Sequence, residues 1–332
     1  MHKKVTIKDI AERASVSIST VSRVMNNIGS VDADKRNAVE KAMSDLKYRP
    51  NAVARSLVKG QTKIIGILSH DIGSQFNDVV ARGAIIRLDQ SGYSSFVVDG
   101  RWSKKSEEEA IQNLFERCVD GIVFVGTTLT GDQLKELKET IPIFVICHEI
   151  EGLDSSNLSF DNREGAYIAT NYLIDCGHRN IALVTGVYGR PETTLRIEGY
   201  RQAIEENNID FRSELLFESD FQAPSGVLAV ESMLARGVHF SAIFCANDEV
   251  AVGCRLALSR NKMRVPDDIS LVGFDDHPLA AFMMPPLTTV KQPAYELGHQ
   301  AAQCLINILE GQPYELPDLK PELVIRESVA RR

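Results

Sequence analysis

"IKDIAERASVSISTVSRVMNN" (residues 7–27) reads as two short amphipathic segments joined by a polar turn. Ile7, Ile10, Ala11 and Ala14 fall at the i, i+3, i+4, i+7 spacing of one helix face. Thr6 precedes them as an N-cap, and Asp9 holds the capping-box position with a carboxylate one methylene shorter than the usual Glu. Ser15-Val16-Ser17 is a tight turn, with Ser17 as the next N-cap. Ile18, Val21, Val24 and Met25 then make a second apolar stripe. A third helix is predicted over about residues 34–46, with Ala38, Val39, Ala42, Met43 and Leu46 inward. Three short helices sharing one core predict a compact all-α head over residues 1–50, built as a helix–turn–helix.

The outer face of the second helix carries the chemistry. A helix that enters the major groove must be slim and must present donors and acceptors to base edges. Ile18, Ser19, Thr20, Ser22 and Arg23 fall at or near that face, and Thr6, Ser17 and Asn26 complete the candidate DNA-contacting set. Small hydroxyls bond bases or phosphates, and arginine pairs bidentately with guanine. Any one hydroxyl is explained as well by a cap or a solvated surface. The group, together with Arg23, is not.

Charge agrees. Residues 1–60 hold 12 Lys/Arg and 6 Asp/Glu, whereas the remainder holds 25 and 39. A basic segment on an acidic body points to a module that meets an acidic partner, most simply nucleic acid. No run of eighteen apolar residues predicts a membrane span, and Met1-His2-Lys3-Lys4 lacks the apolar stretch of a signal peptide, so a cytoplasmic protein is expected. Six scattered cysteines without CxxC spacing read as free thiols, and neither metal nor cofactor is expected. There is no GxGxxG opening a helix, no GxxxxGK[ST], no GxSxG and no HExxH, which argues against an enzyme, although the Asp275-Asp276 pair is compatible with glycoside hydrolysis.

Apolar strands alternate with helical runs through the rest of the chain. "KIIGILS", "SSFVVD", "GIVFVG" and "IFVIC" come first, then "NIALVTG", "SAIFCAN" and "ISLVGFDD". Amphipathic segments at 77–91, 106–117, 163–176, 193–207, 225–235 and 249–259 separate them. Such alternation predicts α/β lobes of doubly wound parallel sheets, with ligands beyond the carboxyl ends of the strands. At those ends stand Asp275 and Asp276, Asn247 and Asp248, Asp161, and His148 and Glu149, with Arg196 near a helix start facing the same space. Carboxylates, an amide and a guanidinium suit a hydroxyl-rich ligand, and Phe76 and Phe221 supply apolar faces for a sugar ring or a base. Asp248 and Asp276 read more simply as caps of the segments that follow them.

"VTIKDIAERASVSISTVSRVMNN" and "RPNAVARSLVKGQTKIIGIL" resemble the N-terminus of the LacI/GalR family of bacterial transcription regulators. The likeness continues through "GHRNIALVTG", "RIEGYRQAI", "CANDEVAVG", "VPDDISLVGFDD", "PPLTTVKQP" and "ELVIRESV", in family order over essentially the whole chain. It implies a two-lobed body like a periplasmic binding protein behind the helix–turn–helix head. It also implies three crossings between lobes, near residues 161, 290 and 320. The implied divisions are 1–50 for the head, 51–61 for a hinge and 62–332 for the body, with an N-lobe of about 62–161 and 291–320 and a C-lobe of about 162–290 and 321–332.

Pro50 ends the third helix, and Asn51 can cap "AVARSLV", a segment too short to stay helical alone. The resemblance makes it a hinge helix that pairs with its partner's on DNA. Leu57 is then the minor-groove wedge, Ala54 allows close packing and Arg55 lies near phosphates. The resemblance also implies that Arg196, Phe221, Asn247 and Asp275 line an effector pocket, beside Phe76, Asn77, His148 and Asp161. "SQFN" (74–77) departs from the "NPFF" or "DPFF" of many members, so a particular effector does not carry over. The chain lacks the leucine-heptad tail of tetrameric members, and a homodimer is expected. The expected function is a repressor of a pseudo-palindromic operator, controlled by a small metabolite, with a sugar inducer ahead of a nucleobase or nucleoside. A sugar-binding protein that does not touch DNA is a more distant alternative.

Overall fold

The computed structural model describes residues 5–26, 29–48 and 61–332. Asn51, Ala54, Arg55 and Leu57, the expected hinge contacts, lie outside the described residues. The chain divides into two compact units, residues 1–63 with 118–120 and residues 64–117 with 121–332.

In the first unit the head has three helices, α1 (Ile7–Arg13), α2 (Ile18–Asn26) and α3 (Ala33–Asp45). Its core is Ile10, Ala11, Ala14, Val21, Val24, Val39 and Ala42, with Ile7, Met25, Ala38, Met43 and Leu46 packed around it. At α1, Asp9 accepts from both the backbone N–H and the hydroxyl of Thr6, each at 2.7 Å. Ser17 caps α2 by accepting from the Thr20 N–H at 3.1 Å. The turn between them places Ser15 at φ 53, a left-handed position that lets the two helices cross within four residues. Asp32 caps α3. The apolar stripe of α2 starts one turn later than the sequence periodicity implies: Ile18 is 45% exposed and only Val21 and Val24 are buried.

The second unit contains two α/β lobes. The first sheet runs through β1 (Ile64–Ser69), β2 (Ser94–Asp99), β3 (Gly121–Val125), β4 (Ile143–Cys147) and β5 (Asn157–Ser159). Its order is β2-β1-β3-β4-β5, all parallel. The second sheet holds β6 (Ile181–Thr185), β7 (Leu216–Glu218), β8 (Ala242–Cys245), β9 (Ser270–Asp275), β10 (Thr288–Lys291) and β11 (Glu322–Val324). Its order is β11-β10-β9-β8-β6-β7, and only β11 runs antiparallel. Central strands such as β3 and β6 are buried at every residue, which is why they read as unbroken apolar runs.

Helices cover both faces: α4 (Gln75–Gln90), α5 (Lys104–Glu116), α6 (Gly131–Thr140), α7 (Asn162–Asp175), α8 (Pro191–Glu206), α9 (Ala223–Ala235), α10 (Asp248–Arg260) and α11 (Ala294–Glu310). Leu297, Ala301, Ala302 and Leu305 of α11 pack with Ile65, Val80, Ala84, Leu88 and Phe144 in the core of the first sheet. The late helix therefore returns to the early lobe. The second sheet buries one core on each face, one around Phe244, Phe274 and Tyr200 and the other around Ile243, Met233 and Leu271. The strand order reverses at β1/β3 in one sheet and at β6/β8 in the other. Doubly wound sheets open a crevice for ligands at such reversals.

Candidate functional site

The crevice is a cavity of about 170 Å³, the size class in which a six-membered ring fits. The strand ends build its walls. Asp71 and Ser74 follow β1, Gly126 and Thr127 follow β3, His148 follows β4, Asn247 follows β8, Asp275 ends β9, and Gln292 follows β10. α4 contributes Phe76 and Asn77, and α8 contributes Pro191, Glu192 and Arg196.

Seven of the eight expected effector residues line this cavity: Phe76, Asn77, His148, Arg196, Phe221, Asn247 and Asp275. Asp161 does not. It is exposed, and its carboxylate accepts from the Glu164 N–H at 2.9 Å as the cap of α7, while Asn162 takes the cavity position. Asp248 and Asp276 also differ from expectation, because neither caps a helix. Asn247 caps α10, accepting from the Val250 N–H at 2.8 Å and donating to the Phe221 carbonyl at 3.0 Å. Asp248 is buried and accepts from the Thr289 hydroxyl at 2.6 Å and the His277 N–H at 2.7 Å. Asp276 pairs with Arg326 at 2.6 Å. Partners on distant segments, not helix capping, hold these carboxylates.

Electrostatics centre on Arg196 and Asp275. Arg196 is 6% exposed and lies 3.8 Å from the centre of the Phe274 ring. It donates to the Asn162 side chain at 2.9 Å and to the Ala246 carbonyl. Burial pulls its pKa down, and the carboxylates of Asp275, Glu192 and Asp248 oppose that pull. Asp275 accepts from Gln292 at 2.6 Å. Burial pushes its pKa up to about 6, against the opposing charge of Arg196 and the Gln292 bond. Asp248 behind it is pushed well above the usual carboxylate range, by burial first and then by the charge of Asp275. Burial also lowers the His148 pKa, partly offset by Glu192. The wall is thus rich in acceptors, with carboxylates at Asp71, Glu192, Asp220, Glu249 and Asp275 beside the guanidiniums of Arg190 and Arg196. Such a wall binds groups that donate hydrogen bonds, hydroxyls above all.

Sequence reasoning did not single out Trp102, Arg190, Asn162 or Gln292, all of which line the cavity. Trp102 is the chain's one tryptophan, Arg190 stands directly before the proline that opens α8, and Gln292 follows β10. The position beyond a strand or before a helix start was the available signal for the last two. In the head, Ser17, Ile18, Ser19 and Arg23 are exposed, and Thr20 and Ser22 are half-buried. The Ser17 hydroxyl lies within hydrogen-bond distance of the hydroxyls of Ser19 (2.7 Å) and Thr20 (2.9 Å), so the three form one polar cluster at the helix start. Among the described residues, no group of His, Cys, Asp and Glu is arranged to hold a metal ion, and no helix is long and apolar enough to cross a membrane.

Two family descriptions match the chain, "Bacterial regulatory proteins, lacI family" over residues 6–51 and "Periplasmic binding protein-like domain" over residues 170–329. The HTH-type transcriptional repressor PurR of Vibrio campbellii is 35% identical over 331 residues, which are 98% of this chain and 99% of that protein. The ribose operon repressor of Haemophilus influenzae is 33% identical over 326 residues, 98% of both chains. The crystal structure of the lac repressor dimer bound to operator and the anti-inducer ONPF superposes with a TM-score of 0.88 at 30% identity, covering 99% of this chain and 100% of that one.

Proposed function

Since the chain belongs to the LacI family of bacterial regulatory proteins, we propose that it is a dimeric operator-binding repressor whose DNA affinity is set by an uncharged, hydroxyl-rich metabolite, most simply a sugar. The relatives are transcriptional regulators, and the enzyme reading is set aside on that ground. The observation that carries the effector class is the cavity wall. Five carboxylates and two guanidiniums line it, and the Asn162 and Gln292 amides stand beside them. A phosphorylated ligand would meet repulsion from most of that wall, whereas each sugar hydroxyl finds an acceptor. The name of the ribose operon repressor supports the same class.

A planar nucleobase is the second reading. The ring of Phe221 and the Arg190–Trp102 pair offer flat faces at one end of the cavity.

Operator binding rests on the hydroxyl cluster of Ser17, Ser19 and Thr20, of which Ser17 and Ser19 are exposed, and on Arg23 of α2. With the hinge residues Asn51, Ala54, Arg55 and Leu57, these are the groups proposed to meet DNA in the cytoplasm. Dimerisation is supported by an apolar surface on the second lobe: Val252 and Leu256 of α10 lie one turn apart, and Leu279, Phe282 and Met284 are 55%, 83% and 83% exposed. Arg255 donates to the Met284 carbonyl at 2.9 Å and ties the two segments together. A symmetric pair burying this surface presents two heads to two operator half-sites.

Effector binding shifts the relative angle of the lobes and thereby the fraction of protein able to hold DNA. A thermal-shift panel of neutral sugars, sugar phosphates, nucleosides and purines tests the effector class. A ligand at a hundred times its dissociation constant adds about 2.7 kcal/mol of stability. A shift with a neutral sugar, lost in Asp275→Ala, supports the reading. A shift with phosphorylated compounds alone contradicts it.

A further inference from the structure

Behind the cavity wall lies a buried group that effector recognition does not use. His70 and Glu107 are both fully buried, with His70 Nε2 3.5 Å from Glu107 Oε1. The His70 ring stacks on Trp102, with centroids 4.5 Å apart and planes 25° from parallel. Its Nδ1 accepts from the Trp102 backbone N–H at 2.9 Å. Nδ1 is therefore the accepting ring nitrogen, which leaves Nε2 facing the Glu107 carboxylate at 3.5 Å without a formed hydrogen bond. Glu107 accepts in turn from the Thr127 hydroxyl and the Thr128 N–H, each at 2.7 Å, and from the Thr128 hydroxyl.

The backbone around Trp102 is strained. Arg101 and Trp102 are consecutive non-glycine residues at φ 52 and 47. Non-glycine residues in that region persist only where their surroundings hold them. Here Asp99 accepts from the Arg101 N–H at 2.8 Å, and His70 takes the next N–H. Two glycines make room for the aromatic pair. A Cβ at Gly100 would lie 2.5 Å from the His70 ring, and one at Gly126 would lie 2.9 Å from the Trp102 ring. Strain, stacking and clearance all fix one ring in one place.

What that ring meets belongs to the other lobe. Trp102 lies between β2 and α5 of the first sheet, whereas Arg190 precedes α8 on the second. The Arg190 guanidinium carbon sits 4.2 Å from the Trp102 ring centre and 5.6 Å from that of Phe221. Burial lowers the Arg190 pKa, and the carboxylates of Glu192 and of Asp71, the latter on the first lobe, oppose that pull. We propose that Trp102 and Arg190 form a latch across the cleft, and that His70 and Glu107 are positioning residues that hold Trp102 ready to receive the guanidinium. A partly desolvated cation–π contact is strong enough that its loss multiplies the open-cleft fraction by about 2- to 30-fold.

The single tryptophan makes the latch directly readable in the full-length, ligand-free protein. Arg190 is partly exposed at a helix start, so Arg190→Ala leaves the lobes' cores intact. It should raise acrylamide quenching of Trp102 emission at least about twofold and increase the radius of gyration in X-ray scattering. Arg190→Lys, which keeps the cation, should recover part of both changes. His70→Asn retains an acceptor for the Trp102 N–H but loses the stack and the link to Glu107. It should match Arg190→Ala in quenching while keeping wild-type circular dichroism. Quenching and scattering unchanged in Arg190→Ala would overturn the latch, and unchanged Trp102 emission in His70→Asn would overturn the positioning role. These measurements contain neither effector nor DNA, so the latch and the effector reading can each fail without the other.

Discussion

Asp275→Asn should make the protein more stable at neutral pH while weakening its response to effector. Asp275 ends β9 at φ 109, a conformation that asparagine tolerates as well as aspartate does. The amide oxygen can still accept from Gln292, now 2.6 Å from the carboxylate. Only the charge is lost. Burial has raised the folded-state pKa of Asp275 from 3.8 to about 6. The unfolded chain therefore ionises this group at lower pH than the folded protein does. Stability falls as pH rises from about 4 to 6, at ~1.4 kcal/mol per unit, and the loss levels off above that range at about 3 kcal/mol. Part of the carboxylate faces the open cavity, where water screens it, so the realised cost is ~1–3 kcal/mol.

Urea unfolding followed by Trp102 fluorescence reports the unit that contains Asp275. At pH 7.5 the variant should be the more stable protein by that amount, and the two should converge near pH 4. A variant less stable than wild type at pH 7.5, or a gap that stays constant from pH 7.5 to 4, would refute the buried-charge argument.

Arg23→Ala should cost roughly 1–3 kcal/mol of operator affinity and relax preference at one base pair per half-site, measured by binding to a library of single-base operator variants. Leu57→Ala should weaken specific binding but leave the salt dependence of binding to random DNA almost unchanged, because backbone contacts survive and the kink does not. Phe282→Asp places a charge on an apolar side chain of the second lobe that is 83% exposed, and if the proposed dimer buries this surface, sedimentation velocity should show the dimer for the wild type and a monomer for the variant.

Much of the fold was legible because its signals are local. The head announced itself through i, i+3, i+4 spacing and through Ser and Thr caps. The seven strands read from sequence are all present; the central ones stood out because buried parallel strands must be apolar at nearly every position, whereas edge strand β2 has no buried residue and showed only the short apolar run Phe96-Val97-Val98. Strands β7 and β11 are three residues each, too short to stand out from loops. Helix α6 buries Leu134 alone, so its apolar stripe is almost empty. The return of α11 to the first lobe is a matter of topology. Its sequence says only that one face is apolar, and the family resemblance rather than periodicity anticipated its destination.

The site was legible where a residue follows a strand, as with His148, Asn247 and Asp275. It was illegible where two distant segments meet, as with Trp102 and Arg190. Asp161 shows the opposite failure: it follows a strand, but the helix that starts at once takes its carboxylate as a cap. Adjacent acids such as Asp275 and Asp276 point to opposite duties, cavity and Arg326, and only the turn geometry separates them.

The central claim is that one chain couples operator binding to the occupancy of its cleft. The direct test is fluorescence anisotropy of the full-length protein on the upstream region of its own gene, titrated with and without each ligand that raises its melting temperature. The account predicts binding that is far tighter than to random DNA at the same salt. It also predicts an affinity shift of about 5- to 150-fold with effector, reduced in Asp275→Ala and Arg196→Ala. Tight operator binding that no cleft ligand alters, or ligand binding by a protein that holds this DNA no better than random sequence, would contradict it.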